Sequence, residues 1–393
     1  MSRINDLIKE MCPNGVKKYT IRDICLVTRG RVISKMELQE NIGEYPVYSS
    51  QTLNNGVFGK INTYDFEGQY VQWTTDGANA GSIFYRNGKF SVTNVCGLLK
   101  VKDEYYNVIN TNYLSYALTM ESKKYVNYAT SNPKLMSNVM EKITVLIPPI
   151  EIQEEIVKIL NTFGELEAEL EAELEARKSQ YEFWRGKLFE KENVKYMKIS
   201  EFAKCCAGAT PSTSHSEYWE NGTIPWMSSG EVNNIEIYDT EKKITELGYN
   251  SSSTKMLPIN TVVVALAGQG KTRGLVAITR KEVCTNQSLC GIVPDERVDN
   301  EYLFHYLQSR YKDLRRISSG DGTRGGLNLK MINDYEVPVP SIDEQKKIIN
   351  VLNRFSRLVN SYTDGLPAEI ELRRQQYEYY RNKLLSFEEL VNE

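Results

Sequence analysis

The sequence predicts an α+β protein built on one plan used twice. Two α+β domains alternate with two long helical regions that pack as an antiparallel coiled coil, giving a pseudo-two-fold chain. Three observations predict this: a duplication between the halves, heptad-spaced apolar residues closing each half, and β-branched or alternating runs in between.

The duplication is explicit. Residues 147–163, IPPIEIQEEIVKILNTF, return at 339–355 as VPSIDEQKKIINVLNRF. Gln153 matches Gln345, Leu160 matches Leu352, Asn161 matches Asn353 and Phe163 matches Phe355, all 192 positions apart. RKSQYEFWRGKL (177–188) returns as RRQQYEYYRNKL (373–384) at 196 positions, so the second copy carries four extra residues. Thr93-Asn94 and Thr285-Asn286 keep the offset of 192. In both halves an apolar run ends in a Gly-rich polar loop, TTDGANAG (74–81) and LAGQGKTRG (266–274). The resulting boundaries are 1–146 and 195–337 for the domains, and 147–194 and 338–393 for the helical regions.

The first helical region carries apolar residues at 152, 156, 159, 163, 166 and 170, which is heptad spacing. A tetrad repeat, ELEA-ELEA-ELEA at 165–176, inserts a four-residue stutter before the seam resumes at 174, 181, 184 and 188. At 1.5 Å per residue such a helix is roughly 57 Å long and needs a partner along its seam. The second copy supplies Ile348, Leu352, Phe355, Val359 and Tyr362, then Ile370, Tyr377, Tyr380 and Leu384. Gly365 and Pro367 are expected to break that copy. A two-fold relation between equivalent helices makes the pairing antiparallel. The domains themselves hold strand-like runs such as FSVTNVCGLLKV (90–101), TVVVALA (261–267) and GLVAIT (274–279).

Composition limits the functional classes. Hydrophobic residues are 41% and charged residues 25%, a soluble globular balance. There is no run of eighteen apolar residues and no apolar segment at the start, so a cytoplasmic protein is expected. Seven cysteines and two histidines, His215 and His305, show no metal-ligand spacing, so no metal is expected. The net charge is −3, yet residues 151–175 hold nine Glu and one Lys. The rest of the chain is therefore mildly basic, a weak match to phosphate on its own.

No catalytic residues are expected. ALAGQGKT (265–272) fits a nucleotide phosphate-loop string, but a phosphate loop needs a helix to follow and RGLVAIT reads as a strand. Neither Ser131-Asn132-Pro133-Lys134 nor Ile147-Pro148-Pro149-Ile150 fits a loop that holds a flipped base. No GxGxxG follows a strand, so no cofactor is expected on this chain.

What remains is recognition chemistry. YPVYSSQTLNNG (45–56) and IPWMSSGEVNN (224–234) occupy similar places in the two halves and are rich in groups suited to base edges. The base-contact candidates are Ser49, Ser50, Gln51, Asn54, Thr75 and Asn79 in the first domain. In the second they are Ser228, Ser229, Glu231, Gln269, Lys271 and Arg273. Arg29, Arg31, Lys35 and Arg324 join Lys271 and Arg273 as phosphate or guanine candidates. Solvated turns would use the same residue types. Tyr181, Phe183, Trp184, Tyr379 and Tyr380, at the ends of the helices, are candidates for binding a partner protein or for closing the coiled coil.

With these residues in view, the chain resembles specificity subunits of Type I restriction–modification systems over essentially its whole length. The resemblance lies in LIKEMCPNGVKKYTIRDICLVTRG, TYDFEGQYVQWTTDGANAGSIFY, ITELGYNSSSTKMLP, VALAGQGKTRGLVAIT, IPPIEIQEEIVKIL and LPAEIELRRQQYEYYRNKLLSF. In that family two target-recognition domains alternate with two helical conserved regions. The resemblance implies that each domain reads one half of a bipartite double-stranded DNA site. It implies that the paired helices set the spacer and dock two methyltransferase subunits, with restriction subunits completing the complex. S-adenosylmethionine, ATP and Mg are then expected on those partners. The ELEA units are similar to short repeats whose copy number sets the spacer in one subgroup. Two other readings use the same residues: a stand-alone DNA-binding or coiled-coil protein, and a phosphate-loop NTPase resting on 265–272.

Overall fold

In the computed structural model the sequence duplication reappears as a duplicated strand order. The structure describes residues 2–129, 131–190, 193–268, 272–318 and 326–390. They form two compact units: residues 1–169 with 370–393, and residues 170–369.

In the first unit β1 (Lys17–Thr20) pairs antiparallel with β8 (Thr144–Ile147). Between them lie β2 (Cys25–Arg29), β3 (Ile42–Tyr48), β4 (Val57–Ile61), β5 (Phe66–Thr74), β6 (Ile83–Val92) and β7 (Cys96–Val101). They make one sheet in the order β2-β7-β5-β6-β3-β4. The β5–β6 hairpin is antiparallel in register from Phe66↔Phe90 to Trp73↔Ile83, and β3 runs parallel to β6 through Val47↔Ser91.

Side chains alternate along a strand, so β5 feeds two cores. Val71 and Trp73 face a cluster with Tyr113, Leu114, Ile152, Ile156 and Leu160. On the other face, Tyr70 packs with Phe90, Val92 and Leu98. Trp73 is fully buried and donates from Nε1 to the Leu135 carbonyl at 2.9 Å. Gly97 opposite it is required, because a Cβ there would lie 2.1 Å from the indole ring.

The second unit repeats the scheme. Its strands are β9 (Tyr196–Lys198), β10 (Ala203–Ala207), β11 (Ile224–Met227), β12 (Glu236–Ile237), β13 (Lys242–Ile244), β14 (Val262–Ala265), β15 (Val276–Thr279), β16 (Cys284–Thr285), β17 (Leu289–Pro294) and β18 (Glu336–Pro338). β9 pairs with β18 as β1 does with β8. The main sheet runs β10-β17-β14-β15-β12, whose first four strands match β2-β7-β5-β6; the counterpart of β3 by the repeat is β11, which runs parallel to β16 at Trp226↔Cys284. β14 and β15 are antiparallel neighbours, Val262↔Ile278, so a strand follows the phosphate-loop-like string among the described residues. A nucleotide phosphate would meet no helix N-terminus there.

Among the helices of the described residues, five frame the scheme: α1 (Thr111–Glu121), α2 (Ile150–Lys187), α3 (Asn300–Ser309), α4 (Ile342–Asn360) and α5 (Leu366–Leu384). Residues 150–169 of α2 belong to the first unit and 170–187 to the second. In the first unit α2 pairs antiparallel with α5: Phe163 stacks on Tyr380 at 5.4 Å, while Glu167, one turn on in α2, meets Arg374, earlier in α5, at 2.6 Å. In the second unit Tyr181 stacks on Phe355 at 6.3 Å, the same residue pair by repeat position as Phe163 and Tyr377 at 6.5 Å. The break between α4 and α5 falls at the expected Gly and Pro. Gly365 sits where a Cβ would be 2.6 Å from the Arg357 carbonyl. Pro367 lies in the first turn of α5, where its missing N–H costs no helical bond.

Two glutamines anchor helix to domain identically. Gln153 Nε2 donates to the Val108 and Pro148 carbonyls, both at 2.7 Å, and its Oε1 accepts from Asn110 N at 2.9 Å. Gln345 Nε2 donates to Arg297 and Pro340 carbonyls at 3.0 and 2.9 Å, and its Oε1 accepts from Asp299 N at 2.8 Å. Asn110 and Asp299 are the N-caps of α1 and α3, so each glutamine fixes where a helix begins. The chain also returns to its start within the first unit: Leu390 N donates to Val16 O at 2.9 Å, and Val16 N to Glu388 O at 2.8 Å.

Candidate nucleic-acid interface

The two Ser-Ser pairs sit at the same place in the repeat to within one residue. Ser49-Ser50 follows β3, whose last carbonyl, Tyr48, accepts from Thr93 N at 2.9 Å. Ser228-Ser229 follows β11, whose last carbonyl, Met227, accepts from Asn286 N at 3.1 Å. In each unit a polar loop therefore leaves the end of a strand beside the repeated Thr-Asn dipeptide.

In the first unit the structure brings most of the candidates together. Asn79 Nδ2 donates to the Ser50 carbonyl at 3.0 Å, tying the 75–82 turn to the 49–56 loop. Thr93 Oγ1 donates to Ser49 Oγ at 3.1 Å. Thr75 is fully buried, donates to Asp76 at 2.6 Å and accepts from Arg29 at 3.0 Å. Gln51 spends its amide N–H on the Val57 carbonyl. Asn54 is exposed in a left-handed conformation, φ 51°. Neither the Ser50 hydroxyl nor the Asn54 amide has a hydrogen-bond partner among the described residues, so both are available to a ligand. Lys35, exposed at the start of a short helix, is likewise without an ion pair among the described residues. Arg31 is different: it pairs with Asp65 at 3.0 Å and Glu37 at 2.7 Å, and so serves the domain's own carboxylates.

In the second unit Ser228 and Ser229 are half-buried at the loop start. Glu231 is only 4% exposed and accepts from Ser228 N at 2.6 Å and from Glu241 N at 3.0 Å. Both of its oxygens staple the loop, which leaves it little capacity for a base amino group. Arg273 is buried in the turn before β15. Gln269, Lys271 and Arg324 lie outside the described residues.

Sequence reasoning missed the groups behind the first loop. Arg86, 2% exposed, donates from Nε to Gln72 Oε1 at 2.7 Å. Its Nη1 and Nη2 reach Asn55 Oδ1 and O at 3.0 and 2.9 Å. Burial pulls its pKa down to about 10, which leaves it cationic at neutral pH. The only signal in sequence was one arginine inside the aromatic strand SIFYRNGKF.

Of the helix-end aromatics, Tyr181 and Tyr380 turn inward onto Phe355 and Phe163, as closing the coiled coil requires. Phe183 and Tyr379, equivalent by repeat, are 58% and 60% exposed, and Trp184 is 38% exposed. Each of the equivalent pair carries a lysine over its ring: Lys187 at 5.4 Å and Lys383 at 5.9 Å. Among the described residues no group of His, Cys, Asp or Glu could hold a metal, and no helix is long and apolar enough to cross a membrane.

Comparison with known proteins gives these loops their context. The family model described as "Type I restriction modification DNA specificity domain" matches residues 13–176 and again 191–372. A type I specificity subunit of Mycoplasma pneumoniae is 35% identical over 95% of this chain and 98% of its own length. The specificity subunit of the type I restriction enzyme EcoR124I/EcoR124II from Escherichia coli is 39% identical over 61% of this chain and 60% of its own. Among solved structures, the S subunit of a type I system from M. genitalium has the same fold, with TM-score 0.60 at 14% identity over 94% of this chain and 96% of that one. A chain from a type I R-M assembly gives TM-score 0.64 at 12% identity, covering 95% of this chain and 98% of its own. The chain thus belongs to the specificity subunits of type I restriction–modification systems, and its function is sequence-specific DNA recognition.

Proposed function

We propose that each domain reads one half of a bipartite DNA site and that this chain carries no catalytic group of its own. The observation that carries this reading is the equivalence of the two Ser-Ser loops, one per unit, each beside a Thr-Asn dipeptide. One recognition device in two copies suits a site read in two halves. Helices α2 and α5 act as the spacer ruler and dock two methyltransferase subunits through the exposed Phe183, Trp184 and Tyr379. S-adenosylmethionine sits on those subunits, and ATP and Mg on the restriction subunits that join them, all in the cytoplasm. A mildly acidic chain gains its grip on phosphate from such partners.

Methylation mapping of DNA modified by the assembled complex tests the reading. Ser50→Ala with Asn54→Ala is expected to relax one half-site, and Ser228→Ala with Ser229→Ala the other. Each lost base contact should cost about 1–3 kcal/mol of discrimination. A pair of substitutions in one unit that altered both halves, or two pairs that altered neither, would overturn it.

A further inference from the structure

We propose that Arg86 is a positioning residue for base selectivity in the first domain, holding the tip of the 49–56 loop in the one conformation that reads DNA. The inference rests on the reading in which that loop meets DNA, and goes beyond it by naming what shapes the loop.

The tip is conformationally improbable. Asn54, Asn55 and Gly56 lie in succession at φ 51°, 50° and 77°. L-residues visit this region singly, and asparagine tolerates it, but a run of three needs an external restraint. Arg86 supplies one. Two of its nitrogens grip Asn55, by side chain and by carbonyl, and the third binds Gln72. Gln72 is itself fully buried, donating to Cys96 Sγ at 3.2 Å and reaching the Ser49 carbonyl at 3.5 Å. The guanidinium therefore connects the tip of the loop to its base.

The surroundings are built for this group. Its carbon lies 3.6 Å over the Tyr48 ring and 4.6 Å over Phe84. A Cβ on Gly56 would come within 3.0 Å of its Nη2, so the glycine also admits the guanidinium. No carboxylate among the described residues pairs with it. A buried charge held only by neutral acceptors and rings is a costly way to fill space. An apolar side chain would extend the adjacent cluster of Tyr70, Phe90 and Leu98 and leave Asn55 unheld. Lysine would keep the charge but not the planar fork that spans Asn55 and Gln72 together. The fork thereby sets where the unpartnered Ser50 hydroxyl and Asn54 amide are presented.

The test uses the assembled complex and selection from a duplex pool randomised over both half-sites. Arg86→Lys is expected to weaken base discrimination about tenfold at positions of one half-site, with the other unchanged. Asn55→Gly keeps left-handed freedom and the carbonyl but removes the side-chain acceptor, and is expected to relax the same positions by a smaller factor. It decides the matter alone if Arg86→Lys does not fold. Ser50→Ala and Asn54→Ala are run in parallel. If these leave selectivity unchanged, the loop does not read DNA and the parent reading fails. If they shift it while Arg86→Lys and Asn55→Gly do not, or weaken all sequences equally, the role given to Arg86 is overturned.

Discussion

Replacing Gln153 by alanine should uncouple the first domain from its helix, and the size of the loss follows from three bonds. The side chain is fully buried and satisfies Asn110 N–H and the carbonyls of Val108 and Pro148. A buried backbone group left without a partner costs about 1–3 kcal/mol, and the part-buried Asn110 N–H and Val108 carbonyl fall at the lower edge. Three such groups give about 3 kcal/mol at the lower edge, and water entering the vacated space holds the upper edge near about 5 kcal/mol. That is a large part of the roughly 5–15 kcal/mol that stabilises a domain. For a unit of this size it corresponds to a fall in Tm of about 6–20 °C. Gln345→Ala removes the equivalent bonds to Asp299, Arg297 and Pro340, so its loss should agree within about 1 kcal/mol. Denaturant unfolding gives the magnitude, and hydrogen exchange at Asn110 and Asp299 shows which unit opens. A loss under about 1 kcal/mol, or Gln153→Ala exposing amides of the second unit first, would refute the reasoning.

Four further outcomes are expected. Deleting one ELEA unit shortens α2 by roughly 6 Å and turns it by about 40° beyond a full turn. The recognised spacer should shorten while both half-sites persist in methylation mapping. Gly97→Ala forces a methyl onto the buried Trp73 ring and should cost the first unit about 1–3 kcal/mol in a thermal melt. Burial holds the His305 imidazole below the usual histidine range, with its Nε2 2.6 Å from Asn353 Oδ1. The unfolded chain takes up this proton near pH 6.5, above where the fold accepts it. Stability from this group is therefore complete above that pH and falls as pH drops through it toward the folded value. His305→Tyr copies Tyr116, whose hydroxyl donates to Asn161 at 2.7 Å, and should remove that slope in unfolding titrations. Phe183→Ala and Tyr379→Ala should change stability by under about 0.5 kcal/mol yet weaken co-purification with methyltransferase subunits; unchanged assembly would remove both from the interface.

The helices were legible because their signals are local. Heptad spacing, the stutter and the Gly365–Pro367 break each act within a few residues. The matched glutamines were visible as letters, but not as anchors, since their partners lie about 45 residues upstream along the chain. Arg86 was hidden for the same reason. Whether an arginine in a hairpin faces solvent or a neighbouring loop depends on β5–β6 register, and Tyr70↔Arg86 is a long-range pairing. Arg31 and Glu231 show the converse. Both carry suitable chemistry for a nucleic acid, yet the fold gives each an internal partner: Asp65 lies 34 residues from Arg31, whereas Glu231 closes a Ser228-x-x-Glu231 capping box whose spacing is visible in the sequence.

The return of the chain to Val16 sets an order of events during synthesis. Residues 170–369 are contiguous, so the second unit has every segment it needs before α5 is complete. The first unit does not: Tyr380 and Leu384, and the strand-like contact at Leu390, are made after the second unit. Domains commonly mature from the N-terminus as they leave the ribosome. Here the earlier-made domain waits for α5. A frameshift within the codons for the second half of α5 would therefore damage the domain encoded first and spare the one encoded second.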